Sequence, residues 1–361
     1  MRSPADHVAW VASLSPWPEE FGLGRMRALL TELGEPQRAL RAVHVVGTNG
    51  KSTATRTVEA LLAAEGLRVG AYLSPHVVSW SERIRVGGQE ADLERALARV
   101  RPVAERLRAT QFEALTAAAL AEFAAAGVDV AAVEAGLGGR LDATNVIDAE
   151  VVLLTNVSLE HTEVLGDTEE QIAQEKLAVA HAARVVVLPD NRHRVLVPQG
   201  ARVVVGGARE AAEAFLGRRV DHDVEVELPG RLERVGDEVW DGAHNPAGAA
   251  WLAERLEGDD RVLCVSILRD KDAPSMLESL ARVGRTLVAT SSSSPRALAA
   301  DELARLAAAS FDRVETVPDP IAALTRAREL SPRVLVTGSL YLLADLSGER
   351  ERLRWRSSAT G

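Results

Sequence analysis

The stretch Ala42-Val43-His44-Val45-Val46-Gly47-Thr48-Asn49-Gly50-Lys51-Ser52-Thr53 reads as a buried strand, a tight glycine turn and the start of a helix. Val43 to Val46 are valines around one histidine, the composition of a strand covered on both faces. Gly47 and Gly50 permit the positive φ and close backbone approach that a phosphate group requires. The helix expected over Lys51 to Glu65 aims its free N–H groups and positive dipole end at that turn. Lys51 has the reach for β- and γ-phosphates, and Ser52 or Thr53 offers a hydroxyl to Mg²⁺. The full P-loop pattern places a glycine five residues before Gly50, where this chain has Val45. A plain strand-to-helix turn is the competing reading, and the rest of the chain has to decide.

The chain has 361 residues, enough for two domains with a core each. Hydrophobic residues make up 47% and charged residues 26%, as in soluble globular proteins. No run of about eighteen apolar residues occurs, and no apolar signal core opens the sequence. A cytoplasmic protein is therefore expected, rather than a membrane or secreted one. Cys264 is the single cysteine, which leaves no disulfide framework and suits a reducing compartment. The net charge of −10 speaks against nucleic-acid binding through a general basic surface, so an anionic ligand needs a locally basic pocket. Lysine is the informative scarcity: of 42 lysines and arginines, the lysines are Lys51, Lys176 and Lys271. Arginine and lysine differ most where a compact ammonium or a deprotonatable amine is needed. Asparagine is also sparse, and Asn49, Asn145 and Asn245 stand in motifs described below.

Glu19 to Leu33 has the apolar spacing of a helix ended by Gly34. Arg68 to Leu73 is the next strand and leaves Ser74-Pro75-His76 at its carboxyl end, where open parallel sheets bind ligands. Glu82 to Gly88 alternates and turns like a small hairpin. Ala91 to Arg108 and Phe112 to Ala126 are helices, and Glu113 in the first turn of the second suits its dipole. Val128 to Val133 is a buried strand carrying Glu134 at its carboxyl end, and a carboxylate there needs a partner or a metal. Gly136-Leu137-Gly138-Gly139-Arg140-Leu141-Asp142-Ala143-Thr144-Asn145 is a glycine-rich functional loop.

Val151 to Thr155 is another strand, followed by Ser158-Leu159-Glu160-His161-Thr162. Ser74, Glu134 and His161 thus follow three different strands at the sheet edge of the glycine turn. Singly each reads as a cap or a hydrogen-bonded core residue. Jointly they read as a Mg²⁺ site, although His is an uncommon magnesium ligand. Thr168 to Ala182 is a helix with Thr168 as N-cap, Gln171 three residues on and Lys176 in its middle. Arg184 to Leu188 is a strand, and 189–228 holds valine strands and one helical stretch around Ala208 to Leu216. Leu228-Pro229-Gly230-Arg231 reads as a linker. Beyond it, strands at Val239 to Asp241, Val262 to Ile267, Thr286 to Ala289, Arg313 to Val317 and Val334 to Thr337 alternate with helices, implying a second, mostly parallel sheet. Asp241-Gly242-Ala243-His244-Asn245-Pro246 forms its first strand-to-helix turn, and Leu268 to Asp272 the next. Ser291 to Ser294 reads as a flexible surface loop.

With these motifs in place the chain resembles the folylpolyglutamate synthase/dihydrofolate synthase family of the Mur-ligase superfamily, over nearly its whole length. The most specific stretch is EAGLGGRLDATN at 134–145. GTNGK at 47–51, SPH at 74–76, HT at 161–162 with Leu165-Gly166, and EK at 175–176 support it. LPGR at 228–231, AHNP at 243–246, RDKD at 269–272 and TGSLYL at 337–342 extend it through the second half. The resemblance implies an α/β fold in two domains. Residues 1–228 would form a P-loop-containing, Mur-ligase-like domain with a parallel-rich sheet that binds ATP and pterin. Residues 229–361 would form a smaller Rossmann-like glutamate-ligase domain, with the active site in the cleft between them.

Carried over residue by residue, the resemblance has Gly47, Thr48, Asn49, Gly50, Lys51, Ser52 and Thr53 bind the ATP phosphates. Ser74, Glu134 and His161 would hold Mg²⁺, and Lys176 resembles a carbamylated lysine that helps bind a second ion. Arg231, Asp241, His244 and Asn245 would meet ATP from the second domain. Lys51, Lys176 and His244 are the implied catalytic residues. Phe21, Gly22, Phe112, Glu113, Leu141, Asp142 and Ala143 are the implied pterin-side contacts. The chain departs from the family where Ser52 follows Lys51 directly, as in cell-wall Mur ligases, and where Glu160 replaces an Asp. Region 189–228 is shorter than the family's, its ATP-holding Gln/Asn stretch is not visible, and Arg209 stands roughly at the position of that Asn.

The implied reaction joins L-glutamate to a pteroate or folate carboxylate through an acyl phosphate made from ATP. The expected partners are these small molecules, with no nucleic acid and no membrane, and a monomer is expected. The alternatives are a Mur-type amino-acid ligase acting on a cell-wall precursor and a non-catalytic nucleotide-binding relative.

Overall fold

A computed structural model describes residues 6–18 and 20–359, with side chains through residue 354. The chain divides into two compact units, Met1–Val226 and Glu227–Gly361. In the first, strands β1 (Ala42–Val46), β2 (Val69–Tyr72), β3 (Ile84–Val86), β4 (Gln89–Glu90), β5 (Val130–Glu134), β6 (Val151–Leu154), β7 (Val185–Leu188) and β8 (Arg202–Val205) form one sheet in the order β4-β3-β2-β5-β1-β6-β7-β8. Only the β2–β3–β4 edge is antiparallel. β1 lies at the centre and is buried along its whole length. Val43 and Val45 pack into the core under helices Lys51–Ala64 and Ala208–Leu216, while Ala42 and Val46 join the core under helices Gly24–Glu32, Leu93–Arg106 and Gln111–Ala126. A strand sandwiched this way has no solvent face, hence its unbroken apolar run. Because β2, β5, β1 and β6 are parallel, their carboxyl ends bring Gly47, Ser74, Glu134 and Thr155 to one edge.

Several sequence expectations shift here. The helix expected from Glu19 begins at Gly24, so Phe21 and Gly22 precede it; Glu19 lies outside the described residues. Thr168 and Gln171 form the expected capping box, but the α-helix ends at Leu177 and tightens into a 3₁₀ turn over Ala178–Ala182. Of the valine runs in 189–228, only Arg202–Val205 is a strand; Arg194–Leu196 is a 3₁₀ turn with Val195 largely exposed.

In the second unit, β9 (Glu233–Val235), β10 (Glu238–Trp240), β11 (Val262–Val265), β12 (Thr286–Ala289), β13 (Arg313–Thr316) and β14 (Val334–Thr337) form a sheet ordered β13-β12-β11-β14-β10-β9. It is parallel except for the β9–β10 hairpin, which the charged sequence around it concealed. Ser291 to Ser294 is not a loose surface loop. Ser292 and Ser294 are buried, the Ser292 N–H donates to Ser266 Oγ at 3.0 Å, and the Ser293 N–H donates to Asp345 at 2.7 Å. Among the described residues no helix is long and apolar enough to cross a membrane.

Candidate active site

The phosphate turn is braced by the exit of β6. Gly47 has φ +149°, and a Cβ there would run into the Thr155 hydroxyl; Gly50, at φ +78°, caps helix Lys51–Ala64. The Thr48 N–H donates to the Asn156 carbonyl at 3.0 Å, and the Asn49 N–H to Asn156 Oδ1 at 2.9 Å. Thr155 Oγ1 donates to the Asn49 carbonyl at 2.7 Å, and Thr48 Oγ1 to the Ser158 carbonyl at 3.3 Å. The turn is therefore preorganised, with the helix N-terminus behind it. Lys51 Nζ lies over the turn and donates to the Thr48 carbonyl at 3.1 Å. In sequence Thr155 is only the end of a strand and Asn156 carries no motif; their meaning comes from a segment about a hundred residues away.

Glu134 is buried at the same edge, its Oε1 accepting from Ser52 Oγ at 3.0 Å and its Oε2 from the Ser74 N–H at 3.0 Å. A buried carboxylate with the Ser52 hydroxyl beside it suits a hard cation that also takes phosphate oxygens. Among the described residues no three His, Cys, Asp or Glu side chains are grouped to hold a metal by themselves. A bound ion would thus need ligands besides carboxylate, among them hydroxyl and substrate oxygens. His161, at φ +51°, precedes the short helix Thr162–Leu165, with Glu160 and Glu163 carboxylates 4.0 and 3.8 Å from its ring nitrogens.

Lys176 is buried, and its Nζ donates to the Gly47 carbonyl at 2.9 Å. Burial, with Lys51 nearby, pulls its pKa down to about 7 against the opposing pull of Glu160, Asp142 and Glu175. An arginine could not lose its charge in this way. The glycine-rich loop packs on the helix that carries Lys176. A Cβ on Gly139 would stand 2.5 Å from the Lys176 carbonyl oxygen, and the Arg140 N–H donates to the Glu175 carbonyl at 3.0 Å.

Of the pterin-side residues, Phe112 lies against Gly136, where a Cβ would come within 2.6 Å of its ring. Glu113 closes a capping box with Thr110 and accepts from Arg25 Nε at 2.8 Å. Asp142 is buried and accepts from the Leu137 N–H at 2.8 Å, the Thr144 N–H at 2.9 Å and the Thr144 hydroxyl. Burial pushes its pKa upward. Both carboxylates are thus engaged by neighbouring protein donors. Ala143 is buried, while Leu141 and Phe21 are exposed, Phe21 beside Trp17; Gly22 is exposed as well.

In sequence Arg83 belongs to a hairpin-like run with no sign of a role in the site. Its guanidinium is buried, donates through Nε to His76 Nδ1 at 2.9 Å, lies over the Trp80 ring and interacts electrostatically with Tyr72 and Glu134. Lys51 and Arg83 supply the local positive charge that an acidic chain needs to admit anions. Arg209 donates to the Val220 and His222 carbonyls at 2.8 Å, pinning the segment behind its helix.

Within the second unit, buried Asp241 accepts from the Leu232 N–H at 2.6 Å and the Ala243 N–H at 2.8 Å, and burial raises its pKa against the pull of Arg231. His244 Nδ1 donates to the Gly242 carbonyl at 2.8 Å. Asn245 caps helix Pro246–Leu256 through the Gly248 N–H at 2.7 Å.

A braced glycine turn on a parallel sheet is the geometry of a nucleotide-binding unit, and two family matches place the chain in the class of Mur ligases, ATP-dependent acid–amino-acid ligases. The Mur ligase middle domain matches residues 45–227, and the Mur ligase glutamate ligase domain matches residues 230–340. More particularly, the chain belongs to the folylpolyglutamate synthase/dihydrofolate synthase family. It is 35% identical to the dihydrofolate synthase/folylpolyglutamate synthase of Mycobacterium tuberculosis, over 83% of this chain and 81% of that one. A probable bifunctional folylpolyglutamate synthase/dihydropteroate synthase of Haloferax volcanii is 34% identical over 90% of this chain, which spans 48% of that longer protein. A bifunctional folylpolyglutamate synthase/dihydrofolate synthase solved with Mn, AMPPNP and L-glutamate superposes with a TM-score of 0.81 at 28% identity, covering 97% of this chain and 98% of that one.

Proposed function

We propose that the protein couples ATP cleavage to the joining of L-glutamate to the carboxylate of a dihydropteroate or a folate. The carrying observation is Glu134, buried at the edge of the phosphate turn and shared by Ser52 and Ser74. A carboxylate is a poor acyl donor, so the substrate carboxylate attacks the γ-phosphoryl group to give an acyl phosphate. Glutamate's amine then displaces phosphate through a tetrahedral intermediate. Lys51 and the N-terminus of helix Lys51–Ala64 stabilise the charge developing on the phosphoryl oxygens. Glu134, Ser74 and His161 would hold Mg²⁺, which when bound supplies further positive charge there. Lys176, carrying a CO₂-derived carbamate, would offer an anionic oxygen to a second ion. Arg231, Asp241, His244 and Asn245 form the second unit's contribution to ATP binding.

The family's names and the bound ligands of the solved relative support this reading. Ser52 directly after Lys51 favours a second one, addition of an amino acid to a cell-wall precursor. ADP release by purified protein is the test. It is expected to require Mg²⁺, L-glutamate and either dihydropteroate or a reduced folate. Turnover with a cell-wall precursor and D-glutamate instead would transfer the protein to the second reading. ATP binding with no turnover on either pair would make it a non-catalytic relative.

A further inference from the structure

His44 interrupts a run of valines on the most buried strand of the first unit. Its ring is fully enclosed, with Nε2 2.8 Å from Thr144 Oγ1 and Nδ1 buried without a partner. The Thr144 hydroxyl donates to the Asp142 carboxylate, so its oxygen accepts from His44 and the imidazole proton sits on Nε2. An enclosed ring nitrogen with no partner is a cost that a valine would avoid. The imidazole therefore earns its place through the bond it makes. That bond begins a relay: His44 Nε2–H to Thr144 O–H to Asp142, whose carboxylate also takes the Leu137 and Thr144 N–H groups. The same loop is tied at Arg140, whose N–H reaches the Glu175 carbonyl, and the next residue, Lys176, donates to Gly47 at the end of the strand that carries His44. The connections form a closed ring that starts and finishes on β1.

We propose that His44 is a positioning residue that, through Thr144 and Asp142, locks the 136–145 loop to the strand entering the phosphate turn, so that the acid substrate and ATP are presented in register. The substrate half of this inference rests on the ligase reading; the coupling of loop to strand does not.

The test uses His44→Leu, which fills the space but cannot donate, and Thr144→Val, which keeps shape but breaks the relay. His44→Gln restores an N–H near the Nε2 position. His44→Leu and Thr144→Val are each expected to raise KM for the pterin acid roughly ten-fold, with KM for ATP changed by less than about two-fold. The double variant should be no worse than either single one, and His44→Gln should recover most of the loss. Independently of any substrate, amide exchange at Leu137 and Thr144 should speed up in both single variants while 47–53 stays protected. Should His44→Leu fail to fold, Thr144→Val gives both readings by itself. Additive losses, an equal loss for ATP and acid, or unchanged exchange at Leu137 and Thr144 would overturn the proposal. A wild-type enzyme inactive on pterin acids would sink the ligase reading, and the exchange measurement would still decide the role of His44.

Discussion

Lys176 shows what a single side chain reveals once its surroundings are known. In sequence it is a helix lysine next to a glutamate; in the fold it is a buried amine 2.9 Å from the Gly47 carbonyl, near the neutral state that reaction with CO₂ requires. Protein supplied with ¹³C-bicarbonate should show a carbamate resonance that Lys176→Ala abolishes. Lys176→Ala should lose turnover that short carboxylic acids partly restore, and Lys176→Arg should remain inactive. Full activity in Lys176→Arg would exclude the carbamate, since a guanidinium does not form one. For Glu134 the test separates charge from shape. Glu134→Gln should lower turnover by about a hundred-fold or more with the circular dichroism spectrum unchanged; unfolding would make Glu134 structural. Lys51→Arg keeps charge yet should fail, because a guanidinium is too large for a turn fitted around an ammonium.

Among elements, the glycine-rich loop depends on a contact no side chain makes. A Cβ on Gly139 would press on the carbonyl oxygens of Glu175 and Lys176 at 2.7 and 2.5 Å, backbone atoms that cannot rotate away. Gly139→Ala should therefore lift the loop from the Lys176 helix, costing ~1–3 kcal/mol in chemical unfolding along with most activity. Gly348→Ala, in a helix with open space around it, should be neutral or stabilising by up to ~1 kcal/mol. A Gly139→Ala protein as stable and active as wild type would show that the loop sits elsewhere.

The same element shows how far the sequence could be read. Its glycines, Lys51, Glu134 and Lys176 were visible because valine strands bounded by turns place them at strand ends or in a capped helix. The partners of those groups were not visible. His44 meets Thr144 across a separation of 100 residues and Asn49 meets Asn156 across 107, pairings that only sheet order β5-β1-β6 creates. The donors that hold Glu113 and Asp142 are hidden for the same reason: Arg25, Thr110, Leu137 and Thr144 reach these carboxylates only when the helix cap and loop close. Periodicity also missed β9, a short strand that pairs at the sheet's edge and carries alternating charge.

For the molecule as a whole, the buried imidazole of His44 links the first unit's stability to pH. In the fold its pKa is pulled down to about 3 by burial, with His181 adding a smaller repulsion, against an ordinary value of 6.5. Between those values the unfolded chain binds a proton that the folded chain refuses. The stabilisation is complete above about pH 6.5 and is lost as pH falls toward 3, at ~1.4 kcal/mol for each pH unit. Asp142 and Asp241, whose carboxyls burial raises, act in the opposite sense, so the total acid slope does not isolate the histidine. A difference does. Urea unfolding of wild type and His44→Gln, followed through exchange of the β1 amides at about pH 7.5 and about pH 5, should show wild type losing roughly 2 kcal/mol more than the variant over that interval. The variant starts lower at the higher pH, having changed the bond to Thr144, and the two should converge as the medium turns acid. Equal losses would mean that folded His44 accepts its proton as readily as an unfolded one, which its enclosure on a fully buried strand does not allow.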